Sequence, residues 1–283
     1  MRAFVAGILL PLSWAYAQAP VESVKEQFAK RAARLWSLQP VKKFAPPAGV
    51  TASTNPIDAF IAEDYKAKGL IPTGKADKPT LLRRVYLDLI GLPPTPAEQD
   101  AFLADPAPDA YEKAVDRLLE NEQHGVRWSR YWLDVLRYAD LDGLDGSVMP
   151  AAPGIYLWRD WVIRALNHDM PYDQFARAQI LGNRYRPEIA TAASGRRSRV
   201  EPSVEDSFAL GFLARSAVTR NDRDHDIPFA AVETVSTAFM GMTVGCAKCH
   251  DHKFDPITQK DFYSMKAIFD PLVLKNVMLA SPA

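Results

Sequence analysis

The chain has 283 residues, of which 48% are hydrophobic and 24% are charged, values typical of a soluble globular protein. This length is sufficient for one large domain or two ordinary ones. Because 34 basic and 34 acidic side chains cancel, no net positive field attracts nucleic acid or anionic lipid, and we expect no nucleic-acid partner. The 22 prolines favour short elements joined by long connections.

The first 17 residues have the pattern of a secretory signal peptide. Arg2 gives a positive start, an apolar run extends from Phe4 to Trp14, and Ala15 to Ala17 form a small-x-small cleavage site. The run is shorter than the roughly 20 residues that a transmembrane helix needs. We therefore expect cleavage, export to the periplasm or another extracytoplasmic space of a bacterium, and a mature chain without a transmembrane segment.

Helical periodicity predominates after the leader, and alternating strand patterns are almost absent. A helix is predicted within residues 18–35, and a Pro-rich linker follows it to residue 55. The next helix has Asn55 as its N-cap, Pro56 in its first turn and Gly69 as its stop. Further helices are predicted within residues 78–90, 95–105, 108–121, 125–140, 156–169, 171–183, 203–216, 228–245 and 258–270.

These patterns predict a mainly α fold: an irregular multi-helix domain with long Pro-rich connections and few or no strands. The expected organisation is a signal peptide (1–17), an N-terminal helix and linker (18–55), a helical domain (56–270) and a C-terminal tail (271–283). The polar, basic segment 184–202 is predicted to be a surface loop.

The segment VGCAKCHDHKFDP, Val244 to Pro256, contains both cysteines of the chain and two of its five histidines. Cys246 and Cys249 are three residues apart and His250 follows directly, so the three share one face if the preceding helix continues. This spacing suits covalent haem c, in which two thiols bond the porphyrin vinyl groups and the adjacent imidazole ligates the iron. Export agrees with this interpretation, since haem c is attached outside the cytoplasmic membrane.

Other interpretations of the segment remain open. Cys246, Cys249 and either His250 or His252 could bind zinc, although zinc sites usually combine two separated ligand pairs and there is no second cysteine pair. The cysteines could also form a redox-active disulfide, although the usual βαβ setting is missing. A purely structural disulfide is the third alternative.

A haem bound here requires a distal ligand and covering helices. Few residues follow His250, so upstream helices would supply most of the cover. The candidate ligands are two histidines and two methionines: His168, His225, Met240 and Met242. Because Met240 and Met242 lie close to Cys246 on the same predicted helix, we favour His225, which is predicted to lie in a charged loop.

Two other groups of residues carry weaker indications. Four tryptophans recur at helical spacing, which favours core packing over stacking on a sugar or a porphyrin: Trp128, Trp132, Trp158 and Trp161. Asp140, Asp142 and Asp145 follow a helix but lack the glutamate that completes an EF-hand loop, so Asx turns are favoured over a calcium site.

Four longer segments then identify a family. They are LLRRVYLDLIGLPPTPAEQDAFLADPAPDAYEKAVDRLL, RWSRYWLDVLRYAD, WRDWVIRALNHDMPYDQFARAQILGN and FMGMTVGCAKCHDHKFDPITQKDFY. Together they resemble the DUF1549 family, the planctomycete-type cytochrome domain also named PSCyt2, over Pro56 to Phe269. The resemblance implies one haem c, with Cys246 and Cys249 as thioether sites and His250 as the proximal iron ligand.

Longer members of this family usually continue into a DUF1553 domain, so we expect a stand-alone or truncated form here. The favoured function is that of an exported cytochrome-c-like protein that transfers electrons to a redox partner protein. Two other classes of function remain open. One is a non-haem scaffold or binding module stapled by zinc or a disulfide, and the other is an extracytoplasmic polysaccharide-related enzyme.

Overall fold

The computed structural model describes residues 23–136, 138–139, 141–142, 149–150, 154–182, 188–190, 197–199, 204–216 and 223–272. Within these residues the chain is mainly α-helical, which confirms the predicted fold class. The α-helices are α1 Val24–Arg34, α2 Pro56–Ala67, α3 Lys78–Leu89, α4 Pro96–Ala104, α5 Ala110–Leu119, α6 Glu122–Val135, α7 Tyr156–Asn167, α8 Tyr172–Leu181, α9 Gly211–Ser216, α10 Arg223–Met240 and α11 Gln259–Phe269. Short 3-10 helices span Trp36–Leu38, Val204–Leu210 and Gly245–Lys248.

The described strands are two or three residues long. Strands β1 (Leu141–Asp142) and β2 (Met149–Pro150) pair antiparallel, as do β3 (Glu188–Ala190) and β4 (Arg197–Arg199). The second pair lies where the sequence predicts only a loop. The signal peptide, Asp140, Asp145 and most of the C-terminal tail lie outside the described residues.

Side-chain caps determine where several helices begin, as their sequence signals predict. The Asn55 side chain accepts the Ile57 N–H at 2.9 Å, and Pro56 occupies the first turn of α2. Thr95 and Glu98 form a reciprocal capping box at the start of α4. The N–H and hydroxyl of Thr95 donate to the Glu98 carboxylate and hold its pKa below the usual value.

A small hydrophobic cluster joins α3, α4 and α5. Its buried residues are Leu82, Val85, Tyr86, Ile90, Phe102, Ala110, Ala114 and Leu118. The hydroxyl of buried Tyr86 accepts a hydrogen bond from Arg117 Nη2 at 2.9 Å, and burial raises the pKa of this phenol. His124 Nδ1 donates to Leu89 O at 3.1 Å, which connects the beginning of α6 to the end of α3.

The larger hydrophobic core is formed by residues of α6 to α11 and the segments that join them, and it contains a buried side-chain amide. The Gln179 side chain is 0% exposed, and its Oε1 accepts the indole N–H of Trp132 at 2.7 Å and that of Trp158 at 3.2 Å. Its Nε2 donates to Phe175 O at 3.3 Å. One side chain of α8 therefore satisfies polar groups from α6 and α7 that would otherwise be buried without a partner.

Helices α6 and α7 approach closely at Gly125. Its N–H donates to Asn167 Oδ1 at 2.7 Å, and Asn167 Nδ2 donates to Glu122 O at 3.0 Å. A Cβ atom on Gly125 would lie 2.5 Å from Asn167 Oδ1 and 2.6 Å from Ile163 O. The second of these neighbours is backbone, so a larger residue would force the two helices apart.

Gly125→Ala is therefore expected to lower the free energy of unfolding by about 1–3 kcal/mol, the usual cost of overpacking a close contact. The measurement is urea unfolding, with Gly74→Ala as the control because a Cβ there meets no atom within 4 Å. Equal stability of the two variants would contradict the close approach.

Gln179→Leu is expected to lower the free energy of unfolding by about 2–4 kcal/mol, because two indole N–H groups lose their buried acceptor. The same change at exposed Gln99 should stay within about 0.5 kcal/mol of wild type. Urea titration followed by tryptophan fluorescence measures both. A loss at Gln179 no larger than that at Gln99 would show that these bonds contribute little.

Candidate functional site

The CxxCH segment lies between α10 and α11, and the sequence prediction of a helix running directly into it is wrong. Helix α10 ends at Met240 because Gly241 adopts a left-handed backbone with φ of 63°. The Met242 N–H then donates to Ser236 O at 3.1 Å. A separate turn begins at Gly245, and we call residues 245–250 the CxxCH turn.

Backbone hydrogen bonds close the CxxCH turn. The N–H groups of Cys249 and His250 both donate to Cys246 O, at 3.3 and 3.4 Å. Cys246, Cys249 and His250 are exposed, whereas Ala247 between the cysteines is 0% exposed. One local turn therefore presents the two thiols and the imidazole to solvent, although α10 itself does not continue.

The His250 ring is oriented by its neighbour. Its Nδ1 lies 2.7 Å from the carbonyl oxygen of Asp251. Since a carbonyl only accepts, Nδ1 carries the proton, and Nε2 is the nitrogen with a lone pair for a metal. In metal sites, the ring nitrogen of a ligating histidine that does not bind the metal usually donates its N–H to a carbonyl or carboxylate oxygen.

His252 shapes the loop after the turn. The residue is 6% exposed, and its Nδ1 accepts the N–H groups of Asp255 at 2.8 Å and of Phe254 at 3.4 Å. Its backbone N–H donates to Ile257 O at 2.8 Å, and its carbonyl accepts from Arg31 of α1 at 3.3 Å. These contacts give His252 a structural role in the loop.

The described residues around the CxxCH turn do not provide a set of ligands for zinc. Among the residues that the structure describes, no three His, Cys, Asp or Glu side chains are grouped so that they could hold a metal ion. The thiols of Cys246 and Cys249 are unpaired. A structural zinc site requires four ligands in tetrahedral arrangement, which this segment does not assemble.

The distal-ligand candidates are dispersed. His225 lies in the first turn of α10, where the sequence predicts a loop, and its side chain lies outside the described part of the structure. His168 is exposed at the end of α7, with Nδ1 donating to Arg164 O at 2.8 Å. Met240 is exposed, and Met242 packs against the larger core. The preference for His225 remains a prediction.

The tryptophans pack mainly in the core, as their spacing predicts. Trp158 and Trp161 are buried, and Trp132 is half-buried against Phe175 and Phe212. Only Trp128 of the four is exposed. Of the tryptophans that the polysaccharide-enzyme alternative would use for stacking, Trp128 is thus the exposed one, and it lies beside exposed Tyr131.

The donor set at the CxxCH turn fits haem c. Two unpaired, exposed thiols stand three residues apart, and His250 Nε2 is positioned to accept a metal. Exposed aromatic side chains are nearby: Phe254 follows the turn, and the Tyr263 hydroxyl donates to Lys248 O at 3.2 Å. Sequence analysis missed the contacts of Lys248 and Tyr263 because these residues lie on separate elements and form no local motif.

Comparison with protein-family models identifies a family for this chain. The PSCyt2 family model, described as a protein of unknown function (DUF1549), matches residues 56–273. These residues include α2 to α11 and the CxxCH turn. Comparisons with curated proteins and with solved structures found no match. Since the family model covers more than half of the chain, the protein belongs to the DUF1549 (PSCyt2) family.

Proposed function

We propose that this protein is an exported cytochrome-c-like protein that binds one haem c at the CxxCH turn and transfers electrons to a partner protein. The observation that carries the proposal is the combination of two unpaired thiols and an oriented imidazole on one exposed turn. The haem iron, when bound, supplies one-electron redox chemistry.

The residues of the turn have separate tasks in this proposal. The thiols of Cys246 and Cys249 would hold the haem by thioether bonds, each formed by addition of S–H across one vinyl group, with sulfur on one vinyl carbon and the thiol proton on the other. The addition consumes no oxidant. His250 Nε2 would ligate the iron, and the Asp251 carbonyl that accepts from Nδ1 fixes the tautomer and the orientation of the ring.

The exposure of the turn suits exchange of electrons with another protein, because the bound group would lie at the surface. Charges near the turn alternate in sign, with Lys248 and Lys253 interspersed with Asp251 and Asp255. A redox partner is therefore selected by shape and apolar contact more than by one strong field.

Export rests on the leader at residues 1–17. In the described ranges no helix has the length and apolar character needed to cross a membrane. The proposal therefore places the mature protein in an extracytoplasmic space, where covalent haem attachment takes place.

The proposal is tested by producing the protein in a bacterial host that matures c-type cytochromes. The exported chain should gain the mass of one haem and give a pyridine haemochrome spectrum. The double variant Cys246→Ala/Cys249→Ala should lose the haem that survives denaturing electrophoresis, because no thiol is left to form a thioether bond. Thr243→Ala, at an exposed position beside the turn, should retain it.

Absence of added tetrapyrrole mass in the wild-type exported chain would overturn the haem proposal. So would retention of haem by Cys246→Ala/Cys249→Ala that equals retention by wild type after denaturation.

The distal position has its own test. If His225 is the sixth ligand, His225→Ala should convert a low-spin absorption spectrum into a high-spin one, because the iron loses a strong-field nitrogen. His168→Ala is the matched control and should leave the spectrum unchanged, since in this hypothesis the sixth ligand is His225 and not His168. An unchanged spectrum in His225→Ala would exclude His225 as the distal ligand.

A further inference from the structure

Ala247 and Lys248, the two residues between the cysteines, face the protein, whereas the two cysteines face solvent. Ala247 is 0% exposed and Lys248 is half-buried, whereas Cys246, Cys249 and His250 are exposed. The turn is thus held to the protein by its inner pair of residues. Ala247 packs in the larger core, and its N–H donates to Val244 O at 2.8 Å.

The Lys248 side chain attaches the turn to α10. Its ammonium nitrogen lies 4.1 Å from the centroid of the Phe229 ring, within the range of a cation–π contact. Lys266 of α11 lies 4.9 Å from the same centroid. Phe229 therefore contacts one cation from the turn and one from the neighbouring helix.

The Lys248 backbone attaches the turn to α11. Its carbonyl oxygen accepts the Tyr263 hydroxyl at 3.2 Å and Gln259 Nε2 at 3.2 Å. The Gln259 N–H also donates to Asp251 Oδ1 at 2.8 Å, on the other side of His250. A single residue of the turn is thereby bound to two helices, and the three exposed side chains are bound to neither.

We propose that Lys248 is a positioning residue that holds the CxxCH turn in its outward-facing conformation before any cofactor is attached. The cation–π contact with Phe229 orients the turn on α10, and the hydrogen bonds to its carbonyl fix the turn on α11. The benefit for haem attachment rests on the proposed function, but the positioning itself is a property of the protein alone.

The test is amide hydrogen exchange in the haem-free, full-length chain. The N–H groups of Cys249 and His250 donate to Cys246 O, so their exchange reports opening of the turn. Lys248→Met should accelerate their exchange about three- to tenfold, the effect of removing one partly buried cation–π contact. Lys248→Arg should restore the wild-type rate, because a guanidinium also stacks on an aromatic ring.

Two further variants separate positioning from general destabilisation. Lys266→Met removes the other cation above Phe229 and should leave exchange at Cys249 and His250 within twofold of wild type. In a Phe229→Leu background, Lys248→Met should have less than a twofold effect, because the ring is absent. Exchange in α7 should be unchanged in Lys248→Met. Protection of the turn in Lys248→Met within twofold of wild type, or failure of Lys248→Arg to restore it, would overturn the proposal.

A second measurement separates this proposal from the haem assignment. In a host that matures c-type cytochromes, Lys248→Met should give a lower fraction of haem-bearing chain than Lys248→Arg. If exchange follows the expected order while wild type carries no haem, positioning stands and the proposed function fails. If wild type carries haem and exchange is insensitive to Lys248, the function stands and the positioning proposal fails.

Discussion

The arrangement of the larger core depends on the side-chain amide of Gln179. Its oxygen accepts one indole N–H from half-buried Trp132 of α6 and one from buried Trp158 of α7, and Gln179 itself is fully buried. A buried indole N–H without an acceptor lowers the stability of the folded state by on the order of 1–3 kcal/mol. The positions of the two tryptophans therefore depend on the Gln179 side chain. The close approach of α6 and α7 at Gly125 adds a steric constraint to this polar one. Together they place the helices against which α9 and α10 pack.

The CxxCH turn is built on that core through α10 and α11. Its inner residues are buried or bound to helices, and its reactive side chains remain exposed. Such a division suits covalent attachment of a large group, because the thiols can react without disturbing the core. The buried ring of His252 accepts two backbone N–H groups in the following loop. The two histidines of the segment therefore differ in their surroundings: His250 faces solvent with its Nε2 free of the Asp251 carbonyl, and His252 supports the backbone.

The sequence alone determined most of the helices and the spacing of the thiols and the imidazole in the turn. Caps such as Asn55–Pro56 and the Thr95–Glu98 box are local signals, because the capping side chain and the N–H groups it satisfies lie within four residues. The spacing of Cys246, Cys249 and His250 is likewise local, and family membership follows from long contiguous motifs. At the end of α10 a backbone preference prevailed over the apolar pattern, because left-handed Gly241 ends the helix before the turn. Helix α10 also begins five residues before Pro228, where the sequence predicts its start.

Only the tertiary structure decided which residues hold the site and how it faces solvent. Lys248 meets Phe229 across nineteen residues of chain, and Gln179 meets Trp132 across 47, so no periodicity or short motif reveals either pairing. The outward orientation of the thiols depends on which side of the turn the core covers, and that side is set when α10 and α11 pack. Long-range packing and shared hydrogen-bond acceptors are properties of the folded chain, since they arise only when distant segments exclude water together.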